Sequence, residues 1–200
     1  MNYKTRYLRR LVDETEQQSQ RILEIGSGGR KLSARMVTLD LEPFRAVNLV
    51  GKADRMPIRN DCLDLVIITA VLEHVKEPPA VVAEINRILK NPGTVYVEHP
   101  FLQPFHADPD DYQRYTLMGL RHLFRDFQII DSGVCVGPFS SLAFFVRKFC
   151  TVFVVNAYIA KGVEFVVGWL TFWIKYFDWL LVRAKRLHIA SGGLYLLLRK

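Results

Sequence analysis

The sequence predicts a single α/β domain built on a mostly parallel sheet, and three observations carry that prediction. Short apolar runs alternate with helical segments. The first run, Arg21 to Gly26, ends in the glycine-rich turn Gly26-Ser27-Gly28-Gly29, and the second, Met36 to Leu41, has Asp40 near its end. Buried parallel strands read as continuous apolar stretches, and alternation with helices supplies their crossovers. The glycines let backbone pass close to a ligand, and an acidic side chain ending the second strand can accept hydrogen bonds from both ribose hydroxyls. The grouping therefore predicts a nucleotide-type cofactor site.

Taken in order, Tyr3 to Gln18 carries Tyr3, Tyr7, Leu8, Leu11 and Val12 at helical spacing and reads as an amphipathic helix packed over the cofactor mouth. Strands are expected at Arg21 to Gly26, Met36 to Leu41, Val47 to Lys52, Leu63 to Ala70 and Thr94 to His99. The linkers Gly28 to Arg35 and Glu42 to Ala46 are too short for crossover helices, so this part of the sheet is expected to be thinly covered on one face. Pro78-Pro79 opens a helix whose Val82, Ile85 and Leu89 share a face, and Asn91-Pro92-Gly93 ends it. Thr116 to Arg125 reads as a helix capped by Thr116, with strands at Phe127 to Val136 and Gly193 to Leu198.

Composition narrows the classes. A chain of 200 residues suits one domain, so residues 1–200 are read as a single unit with 139–186 inserted before the last strand. Cys62, Cys135 and Cys150 are odd in number and far apart, which suggests neither a disulfide framework nor a zinc site. The N-terminus is polar and charged rather than a basic patch followed by an apolar run, so a start in the cytoplasm is expected. The net charge is +7, and it is localised: residues 1–133 hold 18 basic and 18 acidic side chains, residues 134–200 hold 9 and 2. A neutral site region argues against a nucleic-acid groove, and the basic, apolar tail calls for its own partner.

The cofactor can be narrowed further. A dinucleotide fingerprint needs a third glycine at its sixth position, where this chain has Lys31, and Asp40 follows Gly26 by only 14 residues. NAD is therefore disfavoured. The stretches Leu23-Glu24-Ile25-Gly26-Ser27-Gly28-Gly29, Thr38-Leu39-Asp40, Ala53-Asp54-Arg55-Met56-Pro57-Ile58, Cys62-Leu63-Asp64-Leu65-Val66, Ala70-Val71-Leu72-Glu73-His74-Val75 and Ile88-Leu89-Lys90-Asn91-Pro92-Gly93-Thr94 follow one another in that order. Together they resemble the class I S-adenosylmethionine-dependent methyltransferase family, in particular its small type 11-like members, over roughly residues 21 to 136.

The resemblance implies a Rossmann-like sheet, mostly parallel with an antiparallel last strand, and S-adenosylmethionine as cofactor. It implies that Glu24, Gly26, Ser27 and Gly28 lie at the methionine and ribose end, that Asp40 with Leu41 holds the ribose, and that Asp54, Arg55 and Met56 border the adenine. Thr69 and Ala70 would lie beside the sulfonium. For His74, next to Glu73, a substrate contact and a hydrogen-bonded prop for the loop both stay open.

The stretch Glu98 to Thr116 resembles a His-x-x-Pro-x-Asp-Tyr-x-Arg-Tyr-Thr loop of methyltransferases associated with surface-glycan and lipid pathways. Loops at the carboxyl ends of strands face the ligand, which puts Asp108, Tyr112 and Arg114 where an acceptor enters. A hydroxyl acceptor must lose a proton, and an imidazole titrates near neutrality, so His106 is the first candidate base and His99 the second. A network that only stiffens the loop is the competing reading. His99, His106 and Asp108 match no recognised ligand spacing, and no metal is expected.

Between Phe139 and Trp179 the chain has thirteen aromatic residues. From Cys150 onward, Lys161, Glu164, Gly168, Thr171, Lys175, Asp178, Val182 and Lys185 recur at steps of three and four, a narrow polar stripe on an otherwise apolar helix. An extra core layer, a homodimer interface and an in-plane membrane helix all fit such a segment. Trp and Phe beside Arg183, Lys185, Arg186 and His188 favour an anionic leaflet. The sequence thus reads as a cytoplasmic, peripherally membrane-bound methyltransferase acting on a small, lipid-linked or glycan-linked acceptor. The rival is a membrane-associated adaptor that keeps the fold without catalysis, which the short crossovers and Arg30 favour.

Overall fold

The computed structural model describes residues 3–18, 20–181 and 186–200. Seven strands form one sheet: β1 (Ile22–Ile25), β2 (Val37–Asp40), β3 (Leu49–Val50), β4 (Leu63–Thr69), β5 (Leu89–Pro100), β6 (Gln128–Val136) and β7 (Gly193–Arg199). Their order is β3-β2-β1-β4-β5-β7-β6; the first five run parallel, and β7 is antiparallel to both its neighbours. Strand order reverses between β1 and β4, where a ligand crevice opens at the carboxyl ends.

Alternation along each strand separates two faces. Leu23 and Ile25 of β1, Val66 and Ile68 of β4, and Val95 and Val97 of β5 face a core closed by α2 (Pro78–Ile88) through Val81, Val82, Ile85 and Ile88. On the same side, Leu120 of α3 (Leu117–Leu123) and Phe124 pack with Leu194, Leu196 and Leu198 of β7. As expected, Thr116 caps α3, its Oγ1 accepting from Gly119 N–H.

The other face holds Ile22, Leu65, Ile67, Tyr96, Tyr195 and Leu197, and α1 (Tyr3–Gln17) covers it with Leu8 and Val12. The expectation that this helix lies over the cofactor mouth is therefore corrected: its apolar stripe matches the mid-sheet side chains, and Ser33 Oγ donates to Glu16 to tie it to the loop after β1. No helix occupies either short crossover between β1 and β3, so Val37, Leu41, Phe44 and Val50 remain exposed, as the linker lengths demand. Thr38 closes part of that gap: its Oγ1 donates to Ala46 O at 2.7 Å and accepts from Asn48 N–H at 3.0 Å.

Two boundaries differ from expectation. Helix α2 stops at Ile88, and β5 begins at Leu89, before Asn91-Pro92-Gly93, so Leu89 pairs with Leu63 instead of extending the helix face. The insertion is not one long helix. It comprises α4 (Pro138–Phe149), α5 (Ala157–Thr171), and a 3₁₀ helix over Ile174–Leu181. No single described helix is long and apolar enough to cross a membrane; α5 and Ile174–Leu181 pass that test only as a pair bent by 47°. Val182, Arg183 and Lys185 of the polar stripe and basic cluster lie outside the described residues.

Candidate cofactor and acceptor site

The turn after β1 passes through left-handed backbone at Gly26 (φ 72°), Gly28 (φ 56°) and Gly29 (φ 75°), conformations open to glycine at little cost. At Gly26 a side chain is also excluded by space, because a Cβ would lie 2.1 Å from Val71 Cγ2. Asp40, at the end of β2, faces this turn and accepts from Gly28 N–H through Oδ2 at 2.8 Å. Its Oδ1 has only a long contact with Glu42 N–H, 3.4 Å, so one carboxylate edge remains for a ligand diol.

Glu24 is buried on β1, and its Oε2 has no hydrogen-bond partner among the described residues. Burial pushes its carboxyl up to about 7, against a weaker opposing pull from Arg30. Such a group, half ionised at neutrality, suits the cationic end of a ligand. Ser27, in the turn that follows β1, is also buried, and its hydroxyl is likewise without a partner among the described residues.

Asp54 and Arg55 are exposed on the loop after β3, whereas Met56 is buried. Glu84 and Arg87 of α2 hold that loop: Glu84 Oε2 accepts from Met56 N–H at 2.7 Å, and Arg87 donates to Ile58 O at 2.7 Å and Met56 O at 3.1 Å. Thr69 ends β4, and Ala70 follows it in left-handed backbone, φ 53°, costly for a residue with a Cβ. Leu41 is exposed just beyond Asp40.

The acceptor loop after β5 is pinned to the 3₁₀ turn Leu72–His74 that follows β4. Tyr112 N–H donates to Glu73 O at 2.7 Å, and Gln113 Nε2 donates to Leu72 O and Val75 O, both at 2.6 Å. Within the loop Arg114 forms a two-pronged pair with Asp111, Nη2 to Oδ2 at 2.7 Å. Arg114 holds the Asp111 carboxyl well below the usual carboxylate range, and Asp111 Oδ2 in turn accepts from His106 N–H at 2.9 Å.

These contacts sort the residues expected on the acceptor side. His74, His99 and His106 converge on Glu73: the nitrogen–oxygen distances are 3.8 Å, 3.5 Å and 3.9 Å. Arg114 lies behind them, engaged by Asp111. Tyr112 is exposed and donates to Asp110 at 2.7 Å, and Asp108 is exposed on the outer part of the loop, so neither reaches the cluster. His99 is buried, and its Nε2 accepts from Tyr115 N–H at 3.1 Å, which leaves only Nδ1, turned to Glu73. Sequence reasoning left Glu73 without a role and missed Asp111 and Gln113. Glu73 had one signal, its place beside His74 directly after β4, and Asp111 another, its match to the Asp of the loop pattern; Gln113, at a variable position of that pattern, had none.

In the insertion the polar stripe turns inward. Glu164 accepts from Lys148 Nζ of α4 at 2.6 Å, Gly168 lies against Arg147, and Asp178 accepts from Phe139 N–H at 2.8 Å and Ser140 N–H at 3.1 Å. The apolar side faces outward: Phe165, Trp169, Leu170, Tyr176, Trp179 and Leu180 are all exposed, and neither α5 nor Ile174–Leu181 has a buried residue. Neither α5 nor Ile174–Leu181 therefore forms an internal core layer. A groove of about 380 Å³ runs between α4 and α5, lined by Arg147 and Lys175 and reaching Gln103 of the acceptor loop.

An open sheet of this order, with a glycine turn after β1 and an acid ending β2, defines a nucleotide-cofactor α/β domain. Residues 23–97 match the family described as "Methyltransferase domain". No curated protein matches the chain. Solved structures of similar fold include phosphoethanolamine N-methyltransferase 2 of Haemonchus contortus in complex with S-adenosyl-L-methionine, with 17% identity, TM-score 0.59, and coverage of 90% of this chain and 48% of that one. A SAM-dependent methyltransferase from Archaeoglobus fulgidus has 12% identity, TM-score 0.56, and coverage of 96% and 94%. The cyclase SpnF has 17% identity, TM-score 0.58, and coverage of 96% and 80%. At these identities the likeness is one of fold, and the name of SpnF, a [4+2]-cyclase, shows that a similar fold serves other chemistry.

Proposed function

We propose that the chain is an S-adenosylmethionine-dependent methyltransferase, cytoplasmic and peripherally membrane-bound, acting on a small, lipid-linked or glycan-linked acceptor. The observation that carries the cofactor half is the pairing of the left-handed glycine turn with Asp40, whose second oxygen stays available. Asp40 would hold the ribose hydroxyls, the backbone at Gly26 and Gly28 would border the methionine moiety, and the unpartnered Glu24 oxygen fits an ammonium group. When bound, S-adenosylmethionine supplies an electrophilic methyl group on a sulfonium.

The protein's own work is then to position the acceptor, exclude water and remove a proton. The pinned loop at Gln113 and Arg114 gives the rigidity, and His106, partly exposed at the mouth, is the candidate base for a hydroxyl acceptor. His99, buried behind it, acts as a support. Arg147 and Lys175 in the neighbouring groove suit an acceptor carrying a phosphate.

The outward Trp and Phe side chains of α5 and Ile174–Leu181 support docking on an anionic leaflet, with the basic excess of residues 134–200 adding attraction. A homodimer through the same face is the outcome that would replace it.

The test is calorimetric titration with S-adenosylmethionine, alongside Asp40→Ala. Saturable binding by the wild type that the substitution weakens by at least about tenfold, the worth of one good charge-assisted hydrogen bond, supports the reading. No binding by the wild type turns it to the adaptor, which the helix-free first crossovers favour.

A further inference from the structure

We infer that Glu73, His74 and His106 form a site for a divalent transition cation of the zinc type, with His99 holding the carboxylate in place. Glu73 is fully buried, yet neither of its oxygens has a hydrogen-bond partner among the described residues. A buried carboxylate without donors is expensive, and folds that retain one pair it with a cation or a metal.

The tautomers of the surrounding imidazoles sharpen the point. His74 Nδ1 sits against the carbonyl of Asp110, and His106 Nδ1 lies 3.0 Å from that of Pro104. A carbonyl can only accept, so the His74 Nδ1 carries the hydrogen; at His106 the Pro104 carbonyl is the shorter Nδ1 contact, Arg114 Nη2 lying at 3.3 Å and already engaged by Asp111, and with the hydrogen on Nδ1 there too each Nε2 keeps a lone pair. Both lone pairs face Glu73 Oε1, at 3.8 Å and 3.9 Å. His99 is the opposite case. Its Nε2 accepts from Tyr115 N–H at 3.1 Å, so its Nδ1 carries the hydrogen and lies 3.5 Å from Glu73 Oε2, close without forming a hydrogen bond.

Three lone-pair donors thus converge from the 3₁₀ turn and the acceptor loop, all within 4.8 Å of one another. Left alone they repel; a cation among them turns the repulsion into binding. Bonds of about 2.0–2.2 Å need the donors to close in by roughly half an ångström. Two imidazoles and one carboxylate, with further positions open, are the donor set of catalytic zinc sites and of facial-triad metals. The Asp110 and Pro104 carbonyls behind the imidazoles, and His99 behind the carboxylate, are the outer partners that fix such ligands. The sequence showed no recognised ligand spacing among His99, His106 and Asp108 and led to no metal being expected; the fold groups Glu73 and His74 with His106 and leaves Asp108 on the outer loop.

The site itself does not depend on methyl transfer. Its use does rest on the proposed function: an acceptor oxygen bound at the open position would be stabilised as its deprotonated form, its proton passing to water, and His106 would then serve as ligand and not as base.

The experiment uses the full chain after chelator treatment, titrated with Zn²⁺ by calorimetry and with Co²⁺ by visible absorption. Alongside it are Glu73→Gln, which keeps shape, and His106→Gln, at a partly exposed position. His122→Gln on α3 is the control, and circular dichroism confirms folding. The expected result is one equivalent bound by the wild type and the control, with a ligand-field cobalt spectrum, and a loss of at least about 100-fold in both variants. No saturable binding by the wild type, or binding that survives in either variant, overturns the inference. S-adenosylmethionine affinity is measured separately, so failure of the cofactor reading leaves the metal result standing.

Discussion

Asp178 caps the distant helix that begins at Pro138: its carboxylate accepts from the Ser140 hydroxyl at 2.6 Å and from the first backbone N–H groups of α4. The approach leaves no room at Gly137, where a Cβ would lie 2.3 Å from the carboxylate. A negative side chain at a helix N-terminus satisfies orphan donors and complements the helix dipole. Asp178→Ala should therefore cost about 1–2 kcal/mol. Hydrogen exchange should show α4 and Ile174–Leu181 losing protection together; unchanged protection in α4 would show that the cap does not hold the hairpin.

With Glu164 and Asp178 engaged by α4, the hairpin turns its aromatic side outward. Trp169 and Trp179 are 68% and 77% exposed, so replacing both with Ser should leave the fold's stability within about 0.5 kcal/mol. Binding to vesicles of anionic phospholipid should weaken by an order of magnitude or more, as expected for the lost burial of two indole rings. Equal vesicle binding by variant and wild type in a sedimentation assay would refute the lipid-docking proposal.

Turnover provides a check on the acceptor side. His106→Ala should abolish methyl transfer to any accepted substrate while S-adenosylmethionine binds as before, because His106 belongs to the acceptor loop and not to the glycine turn. Retained turnover would remove it from the chemistry.

Glu24 makes the cofactor site pH-sensitive. Its folded-state carboxyl sits at about 7 against an ordinary 4.5, because burial disfavours the charge. Between those values the folded chain binds more protons than the unfolded one, so stability falls as pH rises through this window. Above pH 7 the ionised carboxylate costs about 3 kcal/mol. Glu24→Gln should thus raise the melting temperature of the unliganded chain at pH 8 and change it little at pH 4. A cationic ligand group favours the ionised form, so S-adenosylmethionine affinity should increase from pH 6 to pH 8 with proton release. Calorimetry in buffers of different ionisation enthalpy reads that release, and a pH-independent affinity would exclude Glu24 from the contact.

Much of the sheet was legible because each strand is a short apolar run with a turn signal at its end. The missing crossover helices were legible from linker length alone. The insertion was harder. Period-3.6 spacing found the polar stripe of Glu164, Gly168 and Asp178, but not that it faces α4, since periodicity identifies a face and not what covers it. The acceptor cluster was legible as a group of histidines in a loop, yet its centre was not. Glu73 belongs to the turn after β4, and the bonds from Gln113 back to Leu72 and Val75, with that from Tyr112 N–H to Glu73 O, bring the two segments together.

The glycine turn offers a test in which two causes separate. Gly26→Ala would place a Cβ 2.1 Å from Val71 Cγ2 and hold it at φ 72°, so it suffers both a clash and left-handed backbone strain. The strain alone is worth about 1–2 kcal/mol, and the clash adds about 1–3 kcal/mol as overpacking does. Val71→Ala removes the offending methyl groups, so in the double variant the clash should vanish while the strain remains. The two substitutions should be non-additive by roughly 1–2 kcal/mol in denaturant unfolding, the double variant being more stable than the singles predict. S-adenosylmethionine binding should be lost in Gly26→Ala and only partly regained in the double variant, because the relieved contact restores the path of the turn but not its preferred conformation. Simple additivity would mean that Val71 swings aside freely, and that Gly26 is required for its φ alone.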